Sequence, residues 1–128
     1  MRFNTFEDYC AHKGISPEDV LPDVSKVPAI HQAAVLSATK LFLLADEINE
    51  GHEFDWNNWK ERKWSPWFDM EVDEENPTGF RFLDSDFVGV GTDTAGGSRL
   101  CFRSEADSDY AGKTWEPYYR DVMVKPKK

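Results

Sequence analysis

Residues 56–72 read WNNWKERKWSPWFDMEV, and a change of rhythm inside this run decides the fold. From Trp64 onward the side chains alternate. Trp64, Phe68, Met70 and Val72 fall on one side of an extended chain, and Ser65, Trp67, Asp69 and Glu71 on the other, which is the two-residue period of a strand. Pro66 cannot donate to a ladder, so it belongs to an edge or to the strand's first residues. The same run holds four of the chain's five tryptophans: Trp56, Trp59, Trp64 and Trp67. Tryptophan is large, and its indole N–H needs a partner when buried. A cluster of this kind is either the keystone of a small core, with Trp56 and Trp59 folded back over a helix, or an aromatic contact surface.

Upstream of this run the period is helical. Pro28 starts a helix that reaches Gly51, about 35 Å long at 1.5 Å per residue. Ile30, Ala34, Ser37, Leu41, Leu44 and Ile48 recur at alternating spacings of four and three and form one stripe. Ala33, Val35, Leu36, Phe42 and Leu43 widen it, which predicts burial on more than one side. A coiled-coil seam fits less well, because the pattern lasts under four heptads. Two short helices come first. Thr5-Phe6-Glu7-Asp8 has the form of a capping box opening a helix that ends near Gly14, and Ser16-Pro17-Glu18-Asp19 repeats the logic until Pro22.

Downstream, Asn76-Pro77-Thr78-Gly79 is a turn signal, and Phe80-Arg81-Phe82 resumes the alternation, predicting a hairpin. Phe87 to Val90 continues it beyond the polar Asp84-Ser85-Asp86. Gly89, Gly91, Gly96 and Gly97 mark a loop, and Leu100 to Arg103 reads as a last strand. Ser104-Glu105-Ala106-Asp107 then launches a terminal helix with Ala111, Trp115, Tyr118 and Val122 as its stripe. Pro117 should kink or split that helix near Trp115. Helices, then strands, then a helix predict a single α+β domain over residues 1–128. Its small antiparallel sheet of three or four strands would pack on the long helix and the C-terminal helix.

At 128 residues with 40% hydrophobic side chains, the chain can bury about two-thirds of its unfolded surface without metal or disulfide staples. A formal charge of −9 weighs against duplex DNA or an anionic membrane as the main partner, since both reward basic patches. The charge is uneven: acids gather at Glu71 to Glu75 and Glu105 to Asp109, while Lys60, Arg62 and Lys63 sit among the tryptophans and Lys125, Lys127 and Lys128 form a basic tail. Cys10 and Cys101 lie far apart, without metal-type spacing, and read as free thiols in a reducing compartment. The first residues lack an apolar signal region, and no stretch approaches the ~20 residues of a membrane helix. The expected location is the cytoplasm.

Motifs of chemistry fail on inspection. Ala111-Gly112-Lys113-Thr114 imitates the end of a P-loop, but Asp107 stands where the loop needs its first glycine, and the string lies in a helix. His12, His31 and His52 show no zinc spacing, and His52-Glu53-Phe54-Asp55 reads as a solvated loop. A calcium loop counted from Asp84 would place Val88 at its third ligand position and Ala95 where a bidentate glutamate belongs. There is no GxSxG elbow, and neither cysteine has a histidine in an interpretable pattern. No catalytic residue, cofactor or metal site is expected.

The run Gly97-Ser98-Arg99-Leu100-Cys101-Phe102-Arg103-Ser104-Glu105, followed by Tyr110-Ala111-Gly112-Lys113, resembles small proteins encoded in phages and prophages of gut anaerobes. These typically carry a GSRLCF-type strand, a (K/R)-S-E helix start and a YAGK helix. Trp64-Ser65-Pro66-Trp67-Phe68 and Gly79-Phe80-Arg81-Phe82 fit the same order, and the match departs at Pro117. The resemblance implies a phage-encoded protein acting in a bacterial cytoplasm or assembled into a particle. It carries over no activity and no functional residue.

Together these readings point to a non-enzymatic protein-binding or assembly module. Its contact face would comprise Trp56, Trp59, Lys60, Arg62, Lys63 and Trp67, used on a protein partner or in self-association, with no membrane involved. Two alternatives use the same chain differently. Aromatics mixed with cations also suit stacking on single-stranded bases. The acids at Glu71 to Glu75 and Glu105 to Asp109 could instead mimic DNA, although acids near a helix start are ordinary dipole partners.

Overall fold

The computed structural model describes residues 1–94 and 96–127; Ala95, where a calcium loop would need its glutamate, and Lys128 of the basic tail lie outside them. The order of elements is α1 (Phe6–Lys13), α2 (Pro17–Val20), α3 (Ala29–Ile48), β1 (Lys63–Asp69), β2 (Arg81–Val88), α4 (Glu105–Thr114) and α5 (Glu116–Met123). The helices begin where the capping residues place them. Thr5 Oγ1 accepts the Asp8 N–H at 3.1 Å, Asp19 Oδ2 accepts the Ser16 N–H at 2.9 Å, and Ser104 Oγ accepts the Asp107 N–H at 3.1 Å. Pro117 splits the C-terminal helix rather than bending it. Trp115 is the joint between α4 and α5, and its own N–H still bonds Ala111 O at 2.9 Å.

Trp115 is also the centre of the core. It is fully buried among Phe3, Phe6, Leu44, Phe102 and Ala111, and its indole N–H donates to Phe3 O at 2.7 Å. The Tyr118 hydroxyl accepts the Phe6 N–H at 2.8 Å, so the first residues are stitched to the last helices. The fifth tryptophan, outside the cluster, is the one that holds the core together. On α3 the buried residues Ser37, Leu41, Leu44, Ala45 and Ile48 follow the predicted stripe. Burial on several sides does not follow. Val35 and Phe42 stay 37% and 38% exposed, because α5 is the main neighbour of this helix and covers one flank.

The α+β class holds, but the sheet is smaller than three or four strands. β1 and β2 form one antiparallel pair, and Phe102 adds a single bridge to Trp64, with N–H···O bonds of 2.9 and 2.7 Å in the two directions. The segment from Leu100 cannot extend that bridge. Cys101 O is taken by Asn49 Nδ2 at 2.9 Å, Arg103 reaches back to Ile48 O at 3.1 Å, and Ser104 already caps α4. β1 likewise stops at Asp69 rather than Val72. Buried Asn76 donates to Asp69 O at 2.9 Å and Glu71 O at 2.8 Å, which turns the chain before Met70 and Val72 can face inward. Both remain exposed. In compensation β2 runs unbroken through Asp84-Ser85-Asp86, because the Ser85 hydroxyl donates to Asp109 Oδ1 at 2.7 Å and hydrogen-bonds the Ser108 hydroxyl at 2.7 Å on α4.

Candidate contact surface

The loop from Asn49 to Arg62 carries most of the aromatic–cation segment, and one side chain organises it. Lys63, the first residue of β1, is completely buried. Its ammonium has three protons and finds three backbone carbonyls: Asp55 at 2.6 Å, Asn58 at 3.0 Å and Gly89 at 2.7 Å. Glu61 Oε1 lies 3.5 Å away, and the Trp56 ring sits beneath the charge, 5.1 Å from Nζ to its centroid. Glu61 also accepts the Asp55 N–H at 2.8 Å and contacts His52 Nε2 at 3.1 Å. Desolvation is the largest influence on the Glu61 carboxyl and would raise it. The Asp55 N–H, His52 and Lys63 together outweigh that and hold it below the ordinary glutamate value.

Lys63 therefore does not belong to a contact face. It is an internal staple, and Trp56, half-buried over it, is the staple's aromatic side. The staple tethers the two strands' loops to each other. Gly89 O is one of its acceptors, and a Cβ on Gly89 would lie 2.9 Å from Trp59 O, so glycine is needed for that close approach. The Trp59 backbone thus follows the tethered Asn58 and lies against Gly89, while its ring stands 70% exposed, with Lys60 Nζ 5.8 Å from the ring centroid. Arg62 stacks on Phe87 at 4.4 Å, and Phe87 packs on Trp64 at 5.0 Å. Trp56 and Trp59 do not fold over α3.

Trp67 occupies a different place. Cross-strand partners are Lys63–Val88, Ser65–Asp86, Trp67–Asp84 and Asp69–Arg81, and these rows form the outer face of the hairpin. Trp64, Pro66 and Phe68, with Phe82 and Ser85, form the inner face toward α4 and the core, while Phe87, opposite Trp64 at the strand's end, stays 42% exposed. The register slips by one residue between Trp67 and Phe68, which leaves Leu83 as the extra, exposed residue of a bulge in β2. Trp67 is 53% exposed. The six expected site residues thus divide in three: Lys63 and Trp56 inside, Trp59, Lys60 and Arg62 at one end of the hairpin, and Trp67 on its outer pleat. Phe87, Asp84 and Asp86 join the surface without having been expected. Period-two alternation alone would have put Asp84 and Asp86 on the same side as Phe82; the bulge at Leu83 reverses that.

Other features offer less. A cleft of about 510 Å³ lies between α3, α5 and residues 96–100; Leu41, Phe42, Leu100, Tyr119 and Met123 line it, and no tryptophan does. Ala111-Gly112-Lys113-Thr114 is the last turn of α4, with Gly112 buried against Phe82 and Pro66, so its amides are not free to wrap a phosphate. Both cysteines are buried and unpaired, and burial pushes the Cys101 thiol up to about 11. Among the described residues no His, Cys, Asp and Glu side chains gather as a metal site, and no helix is long and apolar enough to cross a membrane. No protein-family model matches the chain, and neither a curated protein nor a solved structure is detectably similar to it.

Proposed function

We propose that this domain is a non-enzymatic binding or assembly module that meets a protein through the exposed part of its aromatic segment: Trp59, Lys60, Arg62 and Trp67, with Phe87. The observation that carries the reading is the combination at Trp59, a tryptophan 70% in solvent that follows Asn58, whose carbonyl Lys63 holds, and lies against Gly89. Large aromatic surface held rigidly in water is costly unless something covers it, and Trp and Arg are the residues that dominate protein contacts. The resemblance of residues 97–113 to phage and prophage proteins is what supports a setting in a bacterial cytoplasm or a phage particle.

Single-stranded nucleic acid is the weaker occupant. Asp84 and Asp86 share a face with Trp67 and would repel a phosphate backbone. DNA mimicry is weaker again: Glu75 pairs with Arg81 at 3.6 Å, Asp107 with Arg2 at 3.0 Å, and Asp109 accepts from Ser85. The test compares the native chain with Trp59→Ser and Trp67→Ser by sedimentation and by capture from host and phage lysates. A defined oligomer or a captured protein that either substitution removes is the expected outcome. A strict monomer that captures nothing, or capture indifferent to both, sinks the reading. A gel shift with single-stranded DNA that fades steeply with salt would favour the nucleic-acid alternative.

A further inference from the structure

We infer that the outer face of the hairpin receives a guanidinium group: an arginine side chain of a partner protein, stacked on Trp67 and paired with Asp84 and Asp86. This rests on reading the face as a protein contact surface and names the chemistry it recognises.

The rows of the outer pleat are closed at both ends. At one end Asp69 faces Arg81 and the pair is closed, with N···O at 3.1 Å and Glu75 joining at 3.6 Å. At the other end Lys63 is closed by three carbonyls and Glu61. Between them stand Trp67 opposite Asp84 and Ser65 opposite Asp86. Directly opposed side chains on one face sit about 5 Å apart at Cβ. Among the described residues neither Asp84 nor Asp86 has a cation, and Asp86 bonds only the Phe87 N–H at 2.8 Å. Trp67 likewise has no cation over its ring, whereas Trp56 and Trp59 each have one.

The chain itself builds the filled version of this arrangement. Arg2 lies over the Tyr110 ring at 5.0 Å and pairs with Asp107 at 3.0 Å; Lys63 lies over Trp56 beside Glu61. In these two places an aromatic face beside a carboxylate holds a cation, and Trp67 opposite Asp84 pairs the same groups with no cation over the ring among the described residues. Guanidinium fits better than ammonium, since its plane stacks on indole while its edge presents a fork to a carboxylate. The platform is preformed. Ser85, between Asp84 and Asp86, is anchored to Ser108 and Asp109, and Gly112 lets α4 back the strands closely. The net charge of −9 would draw a basic segment to it.

The test titrates the full chain with an arginine-rich hexapeptide and with the same peptide carrying citrulline, its neutral isostere, following the indole N–H signals by NMR. A Trp67→Phe variant assigns the Trp67 signal. We expect that signal to move saturably with the arginine peptide, citrulline to bind roughly tenfold more weakly, and Asp84→Asn with Asp86→Asn to lose a similar factor. Glu18→Gln, which removes an exposed acid of α2 outside this face, should bind the peptide as the native chain does. Equal binding of citrulline, indifference to the two Asn substitutions, or a stronger response of the same signal to single-stranded DNA overturns the inference. So does self-association through Trp67 that the peptide cannot displace. The two failures separate in lysate capture. Capture that needs Trp67 but ignores Asp84 and Asp86 removes the arginine and leaves the module; capture that ignores Trp59 and Trp67 removes both.

Discussion

On one face of the β1–β2 hairpin, α4 comes so close that a Cβ on Gly112 would lie 2.8 Å from Pro66 Cβ and overlap the Phe82 ring; on the other, Trp67 stands half in solvent, opposite Asp84 and diagonal to Asp86, neither of which has a cation among the described residues. The same two strands supply both faces, so strand propensity does not distinguish them. What differs is how polar groups are treated. Inside, the hydroxyl of Ser85 is consumed by Ser108 and Asp109. Outside, Arg81 and the Lys63 staple close charges at the two ends, and among the described residues Asp84 and Asp86 have no cation. A face whose polar groups are all satisfied serves packing, and one that keeps carboxylates and an aromatic ring unpaired is available for contact.

The largest effect should come where the outer face is closed. Lys63→Met leaves three carbonyls without a donor, and we expect a loss of about 3 kcal/mol in urea unfolding. Unchanged stability would mean the staple is dispensable, and the loop's order would need another source. Gly112→Ala tests the inner face: overpacking against Phe82 and Pro66 should cost about 2 kcal/mol even after the gain in helix propensity. A stabilised variant would show that α4 stands off from the sheet. Ser85→Ala, at the polar centre of the same face, should cost about 1 kcal/mol. Trp67→Ser, by contrast, should move the unfolding midpoint by no more than about 0.5 kcal/mol; a large loss would make the outer face structural after all.

Acid should loosen the outer face before the core. The Asp69 carboxyl is held below its ordinary value, first by the Glu71 N–H and then, against some desolvation, by Arg81. Glu61 is lowered as well. For depressed carboxyls the stabilisation is fully present above the unfolded pKa, about 4, and is lost as pH falls through the lower folded value. The indole signals of Trp56 and Trp67 should therefore change with midpoints below the usual carboxylate range, while that of Trp115 persists until global unfolding. Midpoints at or above that range would contradict the closed ends of the outer face.

Much of the fold was legible in the chain. The caps at Thr5, Ser16 and Ser104, the stripe of α3 and the break at Pro117 depend on residues within a turn or two of each other, so local chemistry settles them. The contact surface was legible only in part. Trp59, Lys60, Arg62 and Trp67 were picked out by type, but Lys63 was misplaced because nothing in WNNWKERKW says that Gly89 will offer a carbonyl across the hairpin. Asp84 and Asp86 were missed because one bulged residue, Leu83, exchanges the faces of everything after it.

By itself, then, the sequence determined the α+β class, the starts of the helices and the presence of an aromatic–cation segment, since periodicity and capping act over a few residues; α3 ends at Ile48, short of the expected Gly51. Only the tertiary structure decided which cation of that segment is buried, which tryptophan carries the core and which carboxylates share the face of Trp67 with no cation among the described residues. Those outcomes depend on contacts between residues far apart in the chain, such as Lys63 with Gly89, Trp115 with Phe3 and Ser85 with Asp109, whose pairing no local pattern encodes.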